Sequence, residues 1–438
     1  MLTPSREIAF KVLLRVEREA SFAAELLNSR LAERLSPPDR ALAQEIVMGC
    51  LRRQNQLDWL AAHFSGRAPA RWDAEVRVAV RMGIYQLRCL ERVPAPAAVD
   101  QSVEAVKRAR KASAAGLVNA VLRRVTRQPL EQLFPAEMGP AERRAIRLSH
   151  PGWLLERWER RYGAERAEAI AHLNNEAPPV FIRVPPGARV EIGRPCRYLR
   201  DCREITGLAP ETTAPGTPES GMPEARYPVQ DQASQIVPHL VAAEPGQRAL
   251  DLCAAPGLKS GALLNLVAGL SLIACDVHPG RLRLMKRLAG AGVERLRLVA
   301  LDGTRPLPFA VAFDRVLLDA PCSGTGTIRR NPEIKWRLDE DDLPILAAKQ
   351  RWLLSNALDS LAPGGRLVYS TCSIEHEENQ AVVEAVLEGR PDFRLIELER
   401  LPADFLTEEG RTLLRGRWFQ TLPDLGLDGF FAAVMERV

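Results

Sequence analysis

Up to about residue 130, apolar side chains recur at three- and four-residue spacing. Ile8, Val12, Leu13 and Val16 share one helical face, as do Leu42, Ile46, Val47 and Leu51. Val76, Val80, Ile84 and Leu87 make another, Val99, Val103 and Val106 a fourth, and Leu117, Val118, Val121, Leu122 and Val125 the last. Pro37-Pro38-Asp39 separates two of these helices, with Asp39 a candidate N-cap. The pattern predicts a compact all-α bundle over residues 1–130.

Residues 131–228 are less regular and predict a small α+β connecting subdomain. Pro151-Gly152-Trp153 opens a helix to Tyr162, and Ala164–Asn174 forms another. Val180–Val184 is a short strand, stopped by Pro185-Pro186-Gly187. Residues 206–225, rich in Pro, Thr, Gly and Glu, read as a long loop. Cys196 and Cys202 fall in this region without an evident role.

From Tyr227 strands and helices alternate, which predicts an α/β domain over residues 229–438 built on a mostly parallel sheet. Strands are expected at 248–253, 272–276, 296–302, 313–319 and 365–371. Residues 393–398 and 430–435 add an antiparallel pair, for seven strands. Helices are expected at 258–267, 281–289 and 377–387.

Composition narrows the class. The chain has 438 residues, 46% of them apolar, enough for separate cores. No run of about 18 apolar residues predicts a membrane span. Met1–Glu7 lacks the basic and apolar stretches of a secretory signal. Eight cysteines with no C-x-x-C pair and six scattered histidines argue against a zinc site or any other metal. Free thiols in a cytoplasmic chain are the expectation. The net charge of +5 is uneven: residues 1–130 hold 22 Lys and Arg against 13 Asp and Glu. Basic clusters at 107–111 and 123–127 favour a polyanionic partner, RNA above all, over a merely solvated face.

The chemistry lies at the strand ends. Asp251-Leu252-Cys253-Ala254-Ala255-Pro256-Gly257-Leu258-Lys259-Ser260 joins the first parallel strand to its helix. Its small residues let the backbone approach a ligand at a helix N-terminus. There is no G-x-G-x-x-G and no phosphate-binding G-x-x-x-x-G-K-[ST]. Asp276 ends the second strand, placed for a ribose diol, and Asp302 ends the third, placed for an adenine amino group. A nucleoside without phosphates fits these features, and S-adenosylmethionine is the expected cofactor. Asp319-Ala320-Pro321-Cys322-Ser323-Gly324 and Ser370-Thr371-Cys372-Ser373 then bring an acid and two thiols to adjacent strand ends. Cys253 and Cys275 read as core residues, Cys253 meeting the cofactor through its backbone.

Residues 1–130 resemble the NusB-type RNA-binding domain, through Arg6, Ala9–Val16, Val103–Lys107 and Val118–Arg123. The rest resembles the bacterial ribosomal-RNA cytosine-C5 methyltransferases of the Sun/Fmu type, the NusB-domain branch of the Nol/Nop/Sun group. Four stretches carry this: Val229–Gln235 leading to Asp251–Lys259; Asp319–Gly326 with Arg330, Pro332, Ile334, Lys335 and Trp336; Ser370–Ser373 with Glu377, Glu378 and Asn379; and Asp428–Ala433. Leu258 stands where the family has a second glycine, Asn331 and Glu333 replace a His and an Asp, and Pro185 replaces an Asn.

The resemblance implies a Rossmann-like class I methyltransferase domain that makes 5-methylcytosine in 16S rRNA through a covalent adduct at cytosine C6. It implies Cys372 as nucleophile, Cys322 in proton removal and release, Asp319 against the cytosine edge, and Lys259 as an electrostatic or orienting partner. It places the cofactor against residues 253–259, Asp276, Asp302 and Asp319. The Pro-Cys dipeptide of DNA cytosine-C5 methyltransferases gives the opposite assignment, with Cys322 attacking. The expected partner is 16S rRNA before full subunit assembly, bound by a monomer. A tRNA substrate, or a non-enzymatic assembly factor, stays open. Arg329, Arg330, Lys335 and Arg337 are candidates to hold phosphates around the base, or simply surface cations.

Overall fold

A computed structural model describes residues 2–19, 21–188, 190–206, 227–288 and 292–438. Most of the loop expected at 206–225 lies outside these residues. The chain forms two units. One comprises Met1–Pro178 with Ile328–Leu338, the other Pro179–Thr327 with Asp339–Val438. The connecting region is thus divided: its helices join the first unit and its strands the second.

The first unit is helical. Pro4–Glu19, Pro37–Arg52, Gln54–Ser65, Ala74–Cys89, Ala95–Arg108 and Ala115–Arg124 enclose one core around Val12, Ile46, Val80, Ile84, Val106 and Leu122. Each expected apolar face points inward. The cap of the second long helix is Ser36 rather than Asp39. Ser36 Oγ accepts from Asp39 N at 3.4 Å and donates to the Asp39 carboxylate at 2.8 Å. Pro37 and Pro38 fill the first turn, where no backbone N–H is needed. Pro140–Leu148, Gly152–Tyr162 and Ala164–Asn174 continue the unit.

Ile328–Leu338 contributes a short helix to this unit, and its cations differ from expectation. Lys335 is fully buried and donates to Arg52 O at 2.9 Å and Asn175 Oδ1 at 2.8 Å. Burial among cations depresses its ammonium far below the usual lysine range. Arg337 donates to the carbonyls of Val16 and Ser21, and Arg329 to that of Ala177. These three side chains bond backbone carbonyls within the unit rather than standing free at the surface. Glu333 is also buried and accepts from Ala23 N at 2.8 Å. In the basic clusters, Arg108 pairs with Glu7 and Glu104, Lys111 with Asp73, and Arg127 donates to Leu87 O.

The second unit opens with a small antiparallel sheet of β1 (Val180–Arg183), β2 (Arg194–Pro195) and β3 (Cys202–Ile205), ordered β1-β3-β2. Its main sheet comprises β4 (Arg248–Asp251), β5 (Ser271–Asp276), β6 (Leu296–Ala300), β7 (Phe313–Asp319), β8 (Leu361–Thr371), β9 (Phe393–Leu395), β10 (Trp418–Thr421) and β11 (Phe430–Arg437). The order is β10-β11-β8-β7-β4-β5-β6, with β9 also on β11. β4 to β8 are parallel, while β9, β10 and β11 are antiparallel to their neighbours. This is the expected Rossmann-like sheet with one further strand, β10. Trp418-Phe419-Gln420-Thr421 is short and half polar, so no apolar run announces it.

The sheet is covered on both faces, as its near-continuous apolar strands require. Val316, Leu318, Leu367, Tyr369, Phe431 and Ala433 line one face. Leu317, Val368, Phe430, Ala432 and Val434 line the other. That period of two holds β7, β8 and β11 in register, so their ends come together. Where they meet, Gly326 and Gly429 touch backbone to backbone. Gly429 N donates to Gly326 O at 2.8 Å, and Gly326 N to Cys372 O at 3.0 Å. A Cβ on Gly326 would lie 1.9 Å from Gly429 O. Among the described residues no helix is long and apolar enough to cross a membrane.

Gly326→Ala is therefore expected to cost about 3 kcal/mol or more, as forced backbone displacement does, read as a lowered midpoint in denaturant unfolding. Gly116→Ala, a helical position with open space around it, should leave stability unchanged or raise it by up to ~1 kcal/mol.

Candidate active site

The site is assembled at the C-terminal ends of β4, β5, β7 and β8, where an open parallel sheet presents its loops. Asp251 ends β4 and is fully buried. One carboxylate oxygen, Oδ2, accepts a short hydrogen bond from Ser260, the third residue of helix Leu258–Leu266. The other, Oδ1, is buried without a hydrogen-bond partner. Burial pushes this carboxyl up to about 7, against the Ser260 hydrogen bond and aided by the negative charge of Asp319.

The loop that follows is pinned from two sides. Ala254 N donates to Cys275 O at 2.8 Å, and Ala255 N to the Asp276 carboxylate at 3.3 Å. The second Asp276 oxygen takes His278 N at 2.8 Å. Gly257 turns the chain with φ 103, a conformation that favours glycine, and leads into the helix. Leu258 follows, half-buried, and its carbonyl accepts from Arg183 Nη1 at 2.7 Å. Arg183 also donates to Gln230 Oε1 at 2.7 Å, so the small sheet and the Val229–Gln235 stretch brace the loop. The sequence had offered no reason to single out Arg183. Cys253 lies just beyond β4, partly exposed, and Cys275 is buried in β5. Asp302 sits two residues past β6, exposed, with its carboxylate accepting from Thr304 N and Oγ1. Those bonds hold it below the usual carboxylate range.

The candidate catalytic side chains gather around the ends of β7 and β8. Asp319 faces Ser370 in register, and Ser370 Oγ donates to Asp319 Oδ1 at 2.8 Å. Lys259 Nζ pairs with Asp319 Oδ2 at 2.6 Å and lies 5.1 Å from the Phe430 ring centroid. The pair is only partly exposed, which shields it from screening by water and salt. Three residues beyond Asp319, Cys322 brings its Sγ to 3.4 Å from Cys372 Sγ. Both thiols are partly exposed. The Cys322 thiol is raised well above its ordinary range, first by its hydrogen bond to Cys372, then by burial and by the charges of Cys372 and Glu378. Cys322, Cys372, Asp319 and Lys259, singled out in sequence, thus form one cluster, flanked by the loop from Cys253 to Leu258 and by Asp276. Asp302 stands outside its hydrogen-bond network. Among the described residues no group of acids, histidines and cysteines has the arrangement of a metal site.

Comparison with known proteins agrees along the chain. Residues 238–436 match the model of 16S rRNA methyltransferase RsmB/F, residues 3–127 that of the NusB family, and residues 150–186 that of an RsmF/B-like ferredoxin-like domain. Ribosomal RNA small subunit methyltransferase B of Pseudomonas putida is 36% identical over 434 residues, 94% of each chain. Probable ribosomal RNA small subunit methyltransferase B of Bacillus subtilis is 32% identical, covering 99% of each. A methyltransferase homolog from Pyrococcus horikoshii of known structure is 26% identical, with TM-score 0.52 over 69% of this chain and all of that one. The chain therefore belongs to the RsmB/F family of ribosomal RNA methyltransferases, a family of S-adenosylmethionine-dependent enzymes.

Proposed function

We propose that the chain makes 5-methylcytosine in 16S rRNA, with Cys372 as nucleophile and Cys322 as its proton partner. The observation that carries this reading is the 3.4 Å approach of the two sulfurs beside the Lys259–Asp319 pair. Cytosine C5 is a weak nucleophile until a thiolate adds to C6. A Cys372–C6 bond gives the ring enamine character and makes C5 nucleophilic. Asp319, held between Lys259 and Ser370, faces the base edge and favours electron flow into the ring. Lys259 fixes the orientation of that carboxylate and balances its charge.

S-adenosylmethionine supplies the methyl group when bound. Asp276 would take the ribose diol and Asp302 the adenine amino group, and residues 253–259 would line the cofactor. Asp251 suits the cofactor's ammonium group, because one of its buried oxygens has no other hydrogen-bond partner. After C5 is methylated its proton must leave and the C6–sulfur bond must break. Cys322 hands its own proton to the departing Cys372 sulfur and takes the C5 proton in its place. The net proton then passes from Cys372 to solvent. A thiol held protonated, as Cys322 is, suits this role better than attack.

The target base has to leave its stack to reach two thiols at the ends of a sheet. That favours an unpaired loop of rRNA accessible before the subunit is fully assembled. The helical unit, with its excess of basic residues, supplies a surface for the RNA backbone.

In vitro, Cys322→Ala should trap a covalent protein–RNA complex that survives denaturing electrophoresis, whereas Cys372→Ala should give no complex and no methylation. The reverse pattern would exchange the two roles. Mass spectrometry of 16S rRNA from a strain lacking the protein should show one cytosine unmethylated; an unchanged 5-methylcytosine content would refute the substrate.

Cofactor affinity should depend on pH through Asp251. Its carboxyl is raised to about 7, so burial favours the protonated form. The stability it contributes is full below the ordinary carboxylate range and is lost as pH rises through 7. Pairing with a cationic cofactor requires the ionised form, so affinity should fall by up to about tenfold per unit as pH drops below 7. Titration calorimetry at pH 6, 7 and 8 reads this slope, and Asp251→Asn should flatten it.

A further inference from the structure

Beyond the four reacting residues, one buried carboxylate is bonded to both thiol-bearing loops. Glu378 follows β8 in the turn after Cys372, within the acid-rich run Glu375-His376-Glu377-Glu378. It is fully buried. Its Oε1 accepts from Ser323 N at 2.8 Å and from Gln350 Nε2 at 2.9 Å. Its Oε2 accepts from Ser373 Oγ at 2.5 Å and takes a short hydrogen bond from Ser323 Oγ. Ser323 and Ser373 are the residues immediately after Cys322 and Cys372, and their hydroxyls lie 3.1 Å apart. Gln350 also donates to Pro321 O at 2.9 Å, the residue before Cys322.

A carboxylate without access to water costs several kcal/mol of hydration, which only a full set of donors offsets. Four donors surround this one, and three of them come from residues next to a thiol. The neighbouring bonds repeat the connection. Thr325 Oγ1 lies 3.2 Å from Ser373 Oγ and accepts from Ile374 N at 3.1 Å. Asn379, the next residue, donates to Ser373 O at 2.9 Å and accepts from Thr371 Oγ1 at 2.5 Å. Asn379 therefore holds the β8 side alone, whereas Glu378 joins both sides.

We propose that Glu378 is a positioning residue: its carboxylate binds the serine after each cysteine and so sets the separation and orientation of the Cys322 and Cys372 sulfurs. This rests on the two-thiol mechanism above. Glu378 touches neither sulfur by a hydrogen bond, and it acts on the reaction through Ser323 and Ser373. Its negative charge also favours the protonated state of the neighbouring Cys322. A glutamine of the same shape replaces one acceptor oxygen by a donor. It cannot receive all four bonds, so either Ser323 N and Gln350 lose their acceptor or both serine hydroxyls must rotate to accept from the amide instead.

The test uses the full chain in two measurements. The first is the rate at which dibromobimane bridges Cys322 to Cys372, followed by peptide mapping, with no RNA or cofactor present. The second is steady-state methylation of rRNA. Glu378→Gln should slow bridging several-fold and lower kcat at least about tenfold, since a misplacement of about 1 Å costs up to a hundredfold. KM for RNA and the calorimetric Kd for cofactor should stay within about twofold, the pattern of a lost transition-state interaction. Should the glutamine variant not fold, the Ser323→Ala/Ser373→Ala double variant, which keeps the carboxylate and Gln350, should show the same pattern. Wild-type bridging in both variants, or a kcat loss without slower bridging, would overturn the proposal, as would a uniform loss of cofactor binding and kcat. If the wild-type chain bridges readily but methylates no cytosine, the mechanism fails while the bridging comparison still decides the role of Glu378.

Discussion

The site depends on the register between two neighbouring parallel strands. β7 and β8 are paired so that Asp319 faces Ser370. Each strand then runs on for two or three residues into a turn that carries a thiol. A slip of one residue would reverse which side chains face which layer of the core, because strand side chains alternate. Leu317 and Val368 would exchange layers with Val316, Leu318, Leu367 and Tyr369, at a cost no surface contact could offset. The hydrophobic alternation that stabilises the sheet is thus also what brings the two sulfurs to 3.4 Å.

On this frame the polar groups divide into two layers. In the outer layer, Lys259 and Asp319 are partly exposed and Ser370 anchors the carboxylate from below. The inner layer, Glu378 with Ser323, Ser373 and Gln350, is sealed from water. Charges in the outer layer remain free to respond to a ligand. Those of the inner layer are already committed to protein donors and give the turns a fixed shape before any ligand arrives. Reacting groups that must act in sequence need both properties.

Most of the second unit's fold was readable because apolar runs of strand length alternate with helical periods. The cofactor loop and the two thiol turns were readable because their residue types are unusual at strand ends. Other features depended on tertiary surroundings. β10 has two polar residues in four and becomes a strand only by pairing with β11. Lys335 and Arg337 look like surface cations in sequence, since nothing local shows that carbonyls at helix ends await them. Glu378 stood out in sequence only as part of a motif, since its bonds to both serines depend on the pairing of β7 with β8. Asp302 was expected to end a strand, but β6 stops two residues earlier and Asp302 instead accepts from Thr304 in the turn that follows.

The last strand has a bearing on when the protein can fold. β11 is the last strand in order, yet it is an interior one, bonded to β8 on one side and to β9 and β10 on the other. Its Gly429 locks against Gly326 beside the first thiol turn. The helical unit is also incomplete until Ile328–Leu338 has been made. Domains that fold during synthesis generally do so from the N-terminus as units, but here neither unit is a continuous stretch. The sheet cannot close, nor the thiol turns settle, before β11 has been made and paired. Neither unit can therefore be finished as a block ahead of the other.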